Sequence, residues 1–250
     1  MRVGLIGYGY WGKILRPKLE KYFDVAFVAN SETQYELEGL DWVFIVTPTN
    51  THYDIVKKCL NASINVFCEK PLTLNPDKSK ELFDLARSKG VKLYVDNIFL
   101  GRHDYQRFKG SLKQFRNHVI KDIKFEWYKY GPFNDTLVND LLYHDVYISL
   151  DLVGLQHNIE LIGFSITTNT LDLTVKLGDV KINYCYDRSR PTKNKVITMN
   201  ENYIFPMNHP PNDPLSDIIR VISDNGDIDY DFNEKITIKT EQILKEVWEL

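Results

Sequence analysis

The chain has 250 residues, 43% hydrophobic and 26% charged, with 15 Tyr and 13 Phe, a balance that excludes a disordered or fibrous chain and suffices for two modest domains. A formal net charge of −3 supplies no basic field for a phosphate backbone, so nucleic acid is not an expected partner. The three cysteines, Cys59, Cys68 and Cys185, fit neither a disulfide framework nor a paired metal motif, and point to a reducing cytoplasm.

No apolar run reaches the about 18 residues of a membrane helix. The N-terminus enters "RVGLIG" without the basic, apolar and small-residue series of a leader,. The expectation is a soluble cytoplasmic protein with a native start and no membrane partner.

The chain opens on "VGLIGYGYWGKIL". "VGLIG" is a short β-prone run, and "YWGKILRPKLEKYF" places Ile14, Leu15, Leu19 and Tyr22 or Phe23 at helical spacing,. Gly7, Gly9 and Gly12 therefore stand in G-x-G-x-x-G spacing at a strand-to-helix turn. Glycines there let the backbone approach a pyrophosphate, while free N–H groups and the positive helix end favour its charge. The plainer reading is that they only serve the turn, but an α/β alternation follows, which is the context a dinucleotide cradle needs. Tyr8, Tyr10 and Trp11, interleaved with the glycines, are candidate cofactor contacts.

"VAFVA" (25–29) and "WVFIV" (42–46) read as further strands, apolar throughout, as expected when helices cover both faces of a parallel sheet. Only 12 residues, 30–41, lie between them, too few for a full crossover helix, so the sheet is expected to be trimmed there. A helix over 52–62, a strand "INVFC" (64–68), a helix over 77–89 and a strand "KLYVD" (92–96) complete a doubly wound α/β domain over 1–98,.

Beyond residue 100 the runs lengthen and alternate: 120–130, 159–169, 170–177, 180–187 and 195–200. They predict mostly antiparallel strands in a second, α+β domain over 99–250. A helix over 136–153, capped by Asn134 or Asp135, interrupts them, and helices near 214–224 and 234–249 end the chain,.

The carboxyl ends of the parallel strands carry the candidate site. The second strand ends in Asn30-Ser31-Glu32, with neither the Asp that usually holds an adenosine ribose nor an Arg to receive a 2′-phosphate. Asn30 and Ser31 take the cofactor-binding place, and NAD versus NADP stays undecided. Glu32 could serve instead of the missing Asp, or be a solvated loop charge. The third strand ends in Thr47-Pro48-Thr49, and His52 follows, either touching cofactor or packing and capping its helix. "CEKPL" places Glu69, Lys70 and Pro71 at the next strand end, where a lysine can stabilise charge developing on a substrate oxygen.

In "NDLLYHDVYISLDLVG", Asp140, His144, Tyr147 and Asp151 fall at i, i+4, i+7 and i+11, a polar stripe opposite Leu142, Val146, Leu150 and Val153,. Histidine is the natural acid/base near neutral pH, and a carboxylate one turn away can orient it; alternatively Asp140 and His144 form a plain surface pair. Asp145 points elsewhere and is read as structural. The histidines show no metal-ligand spacing, so no metal is expected.

"GLIGYGYWGK", "VTPTNTHYDIV", "CEKPL" and "NDLLYHDVYISLDLVG", in that order, resemble the Gfo/Idh/MocA family, the glucose-fructose oxidoreductase and inositol dehydrogenase relatives. The resemblance implies a Rossmann domain followed by an α+β domain with a large open sheet that commonly serves oligomerisation, hence a homo-oligomer, dimer or tetramer. It implies that Lys70 is the catalytic lysine and that Asp140 and His144 are the D-x-x-x-H pair. Thr47, Pro48 and the Glu69-Lys70-Pro71 turn would lie against the nicotinamide end of NAD or NADP. In that picture His144 takes a substrate hydroxyl proton as hydride leaves for nicotinamide, Lys70 holds the oxygen, and Asp140 orients His144 or a neighbouring hydroxyl. The "GYGYWGK" form looks most like members acting on nucleotide-linked sugars, so a sugar, polyol or nucleotide sugar is the expected substrate. Two other readings share the sequence: reduction of an imine or bilin on the same cradle, which need not use His144, and a non-catalytic dinucleotide-binding module, which would not need Lys70, Asp140 and His144.

Overall fold

Five short apolar runs pair in parallel: β1 (Arg2–Ile6), β2 (Asp24–Ala29), β3 (Trp42–Ile45), β4 (Asn65–Cys68) and β5 (Leu93–Val95), in the order β2-β1-β3-β4-β5. In this computed structural model the described residues are 1–114, 119–128, 136–208 and 210–249. They divide into two units, 1–101 with 213–245, and 102–212 with 246–250.

In the first unit, α1 (Tyr10–Leu19), α2 (Thr49–Asn61) and α3 (Pro76–Lys89) connect the strands. The α3 termini follow from its sequence: the Asn75 side chain accepts from the Asp77 N–H at 2.9 Å, Pro76 opens the helix, and Gly90 closes it at φ 67°,. All four residues of β3 are buried, as their unbroken apolar run requires. Residues 30–41 contain neither helix nor strand. The cover a crossover helix would give comes from loop side chains: Tyr35 stacks on Phe27 at 5.1 Å, and Leu37 and Leu40 pack on the same core.

The last two helices differ from expectation. Residues 213–245, read from sequence as part of a 99–250 domain, belong with the first unit. Helix α6 (Pro214–Ser223) puts Leu215, Ile219 and Ile222 into the core formed by Val3, Leu5 and Phe44. Helix α7 (Tyr230–Trp248) covers the edge of β5. There Asn233 acts as a substitute strand: its Oδ1 accepts from Val95 N–H at 2.9 Å and its Nδ2 donates to Val95 C=O at 2.8 Å. An open edge would leave those groups unpaired. Long-range burial decides this placement, and helical periodicity does not encode it.

The second unit is a six-stranded sheet ordered β11-β10-β6-β9-β8-β7, with β6 (Asp122–Tyr128), β7 (Ile159–Ile166), β8 (Thr170–Leu177), β9 (Val180–Asp187), β10 (Asn194–Met199) and β11 (Tyr203–Pro206). It is antiparallel except for the β6–β9 pair, which is parallel. One face buries Leu171, Leu173, Ile182, Tyr184 and Phe125. A helix absent from the sequence reading, α4 (His103–Gln114), precedes the sheet; its apolar positions are few, and Phe108 anchors it by stacking on Phe205 at 4.6 Å. The helix read as 136–153 begins with a π-helical turn, Val138–Leu142, before α5 (Tyr143–Val153). Its expected caps, Asn134 and Asp135, lie outside the described residues.

Candidate functional site

The glycine turn has the geometry of a cradle. Gly7 sits at φ +106°, and a Cβ there would meet the Val46 carbonyl oxygen at 2.6 Å; a Cβ on Gly12 would lie 2.0 Å from the Gly7 carbonyl oxygen. These two glycines are required by the protein itself, one by backbone conformation and both by close approach. Gly9 is different. A Cβ there would meet nothing within 4 Å. The space that Gly9 leaves lies at the N-terminus of α1, which has no side-chain cap and no acidic residue in its first turn. Uncapped N–H donors beside a vacant Cβ position fit a pyrophosphate. Tyr8, Tyr10 and Trp11 are all exposed around it, and Tyr10 and Trp11 meet edge to face at 5.4 Å.

At the end of β2, the Asn30 Oδ1 accepts from the Glu32 N–H at 2.9 Å and from the Thr33 hydroxyl at 2.8 Å. This side chain folds its own loop, an Asx turn. Ser31 and Glu32 are exposed beside it.

Thr47 and Pro48, with Thr49 opening α2, follow β3. The Thr51 hydroxyl donates to the Pro48 carbonyl at 2.7 Å and shares a hydrogen bond of 2.8 Å with the Thr47 hydroxyl. His52, a candidate cofactor contact, is buried. Its Nδ1 lies 2.9 Å from the Pro71 carbonyl and its Nε2 2.8 Å from the Thr47 carbonyl, so it ties the loop after β3 to the loop after β4. Burial holds its pKa below the ordinary value, against the pull of the facing carbonyls,. Of its two sequence readings, packing is the one its contacts describe.

Lys70 is half-buried on the β4 loop. Its N–H donates to the Glu69 carboxylate at 3.2 Å, and the Glu69 N–H donates to the Ile45 carbonyl at 2.9 Å. Asp96, just past β5, is almost fully buried and held by its N–H to the Cys68 carbonyl at 2.9 Å. Burial pushes the pKa of both carboxyls up, while the Lys70 charge opposes the rise in each. Asp96 thus joins the Lys70 cluster without having been singled out in the sequence. Its one signal is its place, the first residue beyond an apolar strand end.

In the second unit His144 is buried, with Nδ1 2.9 Å from the Tyr147 hydroxyl and the Trp127 ring 6.2 Å away. Asp140 lies on the π turn and accepts from Arg188 at 3.0 Å. The i,i+4 argument assumed an unbroken α-helix; a π turn closes on i+5 and shifts that register. Within α5, which keeps the α-helical register, His144 meets Tyr147, and Asp151 is held by the Tyr105 hydroxyl at 2.6 Å and Lys109 at 2.5 Å. Asp145 is structural, as expected, fully buried against Lys195 at 2.8 Å and the Tyr186 hydroxyl at 2.8 Å. Arg188 went unnoticed in the sequence because its neighbour Asp140 is 48 positions away. Among the described residues no group of three His, Cys, Asp or Glu side chains is placed to hold a metal ion.

A parallel sheet with a glycine-lined, uncapped first helix defines a dinucleotide-binding protein of the Rossmann class. Residues 15–97 match the model of the Gfo/Idh/MocA oxidoreductase family, described as having an NAD-binding Rossmann fold. An uncharacterized oxidoreductase from Schizosaccharomyces pombe is 34% identical over 137 residues, 48% of this chain and 36% of that protein. The UDP-N-acetylglucosamine 3-dehydrogenase of Acidithiobacillus ferrooxidans is 24% identical over 198 residues, 69% of this chain and 61% of that protein. The chain thus spans 36% and 61% of the length of these two curated relatives. Among solved structures, a variant 3-ketoreductase from Actinomadura kijaniata, in complex with TDP-benzene and NADP, has a TM-score of 0.80 at 16% identity, covering 100% of this chain and 97% of that one. No helix among the described residues is long and apolar enough to cross a membrane.

Proposed function

We propose that this chain is an NAD(P)-dependent oxidoreductase that interconverts a secondary alcohol and a ketone on a cyclic sugar or polyol, nucleotide-linked sugars included. The observation that carries the reading is Gly9: no atom of this chain lies within 4 Å of its Cβ position, so the missing side chain leaves room for a ligand to approach the α1 N-terminus. Tyr8, Tyr10, Trp11, Asn30, Ser31, Thr47, Pro48, Thr49 and Glu69 complete the proposed cofactor contacts. His52 contributes through the two carbonyls it joins.

The cofactor, when bound, supplies the acceptor or donor of a hydride. In the oxidative direction His144 takes the hydroxyl proton, and Lys70 stabilises the oxygen on which charge develops. Asp140, paired with Arg188, takes a neighbouring substrate hydroxyl. Reduction reverses these steps. The nucleotide-sugar part rests on the named activity of the Acidithiobacillus relative and on the ligand of the Actinomadura structure. A cytoplasmic location and a homo-oligomer joined through the second-unit sheet belong to the same reading; free Cys59, Cys68 and Cys185 support the first, and exposed Leu161, Phe164 and Ile166 on β7 support the second.

The test is nicotinamide reduction with NAD or NADP over a panel of inositols and UDP- and TDP-linked sugars. Turnover that disappears in Lys70→Ala and in His144→Ala is expected. Turnover retained in both variants rules the mechanism out, and selective loss in Lys70→Ala alone favours an imine or bilin substrate.

A further inference from the structure

The polar residues Asn233, Thr237 and Glu241 recur every four positions on α7 and form one buried stripe,. Asn233 pairs with the β5 backbone as described, and the Asn97 side chain donates to the Thr237 hydroxyl at 3.2 Å. Glu241 reaches further, to the loop that follows Lys70. It is fully buried, and its Oε1 accepts from the Thr73 N–H at 3.1 Å. Ser79 and Thr73 share a further hydrogen bond of 2.8 Å. On the near side of this segment the Pro71 carbonyl faces His52.

Burying a carboxyl is costly unless its hydrogen bonds are made. A Leu or Ala would fill this α7 position at less cost. The donor that Glu241 takes belongs to this loop. Pro71 is fixed by His52 on one side, and Thr73 by Glu241 on the other.

We infer that Glu241 is a positioning residue for Lys70: from a helix outside the Rossmann motif, it fixes the backbone at Thr73 and so sets where the Lys70 amine stands. This inference rests on the proposed role of Lys70. Glu241 touches neither substrate nor cofactor; it acts through the loop. A carbonyl oxygen at the same place serves equally, so glutamine substitutes and alanine does not.

The experiment uses the full chain with its lysines reductively methylated with isotope-labelled formaldehyde. The Lys70 resonance is assigned by its loss in Lys70→Arg. In Glu241→Ala the Lys70 signal is expected to shift or broaden, and kcat to fall about tenfold or more with the cofactor KM changed less than twofold. In Glu241→Gln both are expected to stay within about twofold of the parent. Should Glu241→Ala fail to fold, Glu241→Leu, which fills the buried position without an acceptor for the Thr73 N–H, takes its place and is expected to shift the Lys70 signal in the same way. A Lys70 resonance unmoved in Glu241→Ala, or in the Glu241→Leu that replaces it, overturns the inference. A resonance that moves while no variant and no parent turns over any substrate leaves the positioning intact and counts against the oxidoreductase reading alone.

Discussion

The Nδ1 of His144 lies 2.9 Å from the Tyr147 hydroxyl, one turn along the same helix. The acid/base candidate is therefore oriented by a phenol three residues on. Replacing Tyr147 by Phe removes one hydrogen bond, about 0.5–1.5 kcal/mol. A roughly two- to tenfold fall in kcat/KM is expected, with a displaced limb in the pH–rate profile and unchanged NADH affinity. Identical profiles for parent and Tyr147→Phe would remove Tyr147 from the account.

The return of residues 213–245 to the first unit has an energetic consequence. Ile219 is fully buried in the core that holds Val3, Leu5 and Phe44. Ile219→Ala is expected to lose about 2–5 kcal/mol, read as a lower midpoint in urea unfolding. If bound NADH protects the parent, it should protect the variant too, by mass action on the same unit. A variant as stable as the parent would contradict this packing.

Glu241 carries a pH signature. Burial raises its pKa from the ordinary 4.5 to about 8. The unfolded chain then gives up this proton more readily than the folded one, so the contribution to stability is complete below about pH 4.5 and lost as pH rises towards 8,. Glu241→Gln cannot ionise, and its unfolding midpoint is expected to fall less than that of the parent between pH 5 and pH 8. Parallel midpoints across that window would contradict a buried, proton-holding carboxyl.

Local signals made part of this molecule legible in its sequence. The β1–glycine–α1 turn, the continuous apolar strands and the shortened 30–41 crossover follow from spacing and composition, and Lys70 from its place at a strand end. What escaped depends on distant partners or on a break in periodicity. Asn233 and Glu241 read as ordinary polar helix residues until β5 and the 72–73 loop are brought against them. Arg188 has meaning only beside Asp140. The π turn at 138–142 leaves no mark in a pattern counted at 3.6 residues per turn.

The most direct test of the central claim is a fluorescence titration of the purified chain with NADH and with NADPH, reading energy transfer from its tryptophans, in the parent and in Gly9→Asp. Gly9 has no neighbour that an added Cβ would strike, so the variant is expected to fold and unfold as the parent does. Saturable binding of at least one nucleotide by the parent, lost in the folded Gly9→Asp protein, is the predicted result. No binding by the parent up to roughly millimolar nucleotide, the weak end of ordinary affinity, or equal binding by parent and variant, would contradict it.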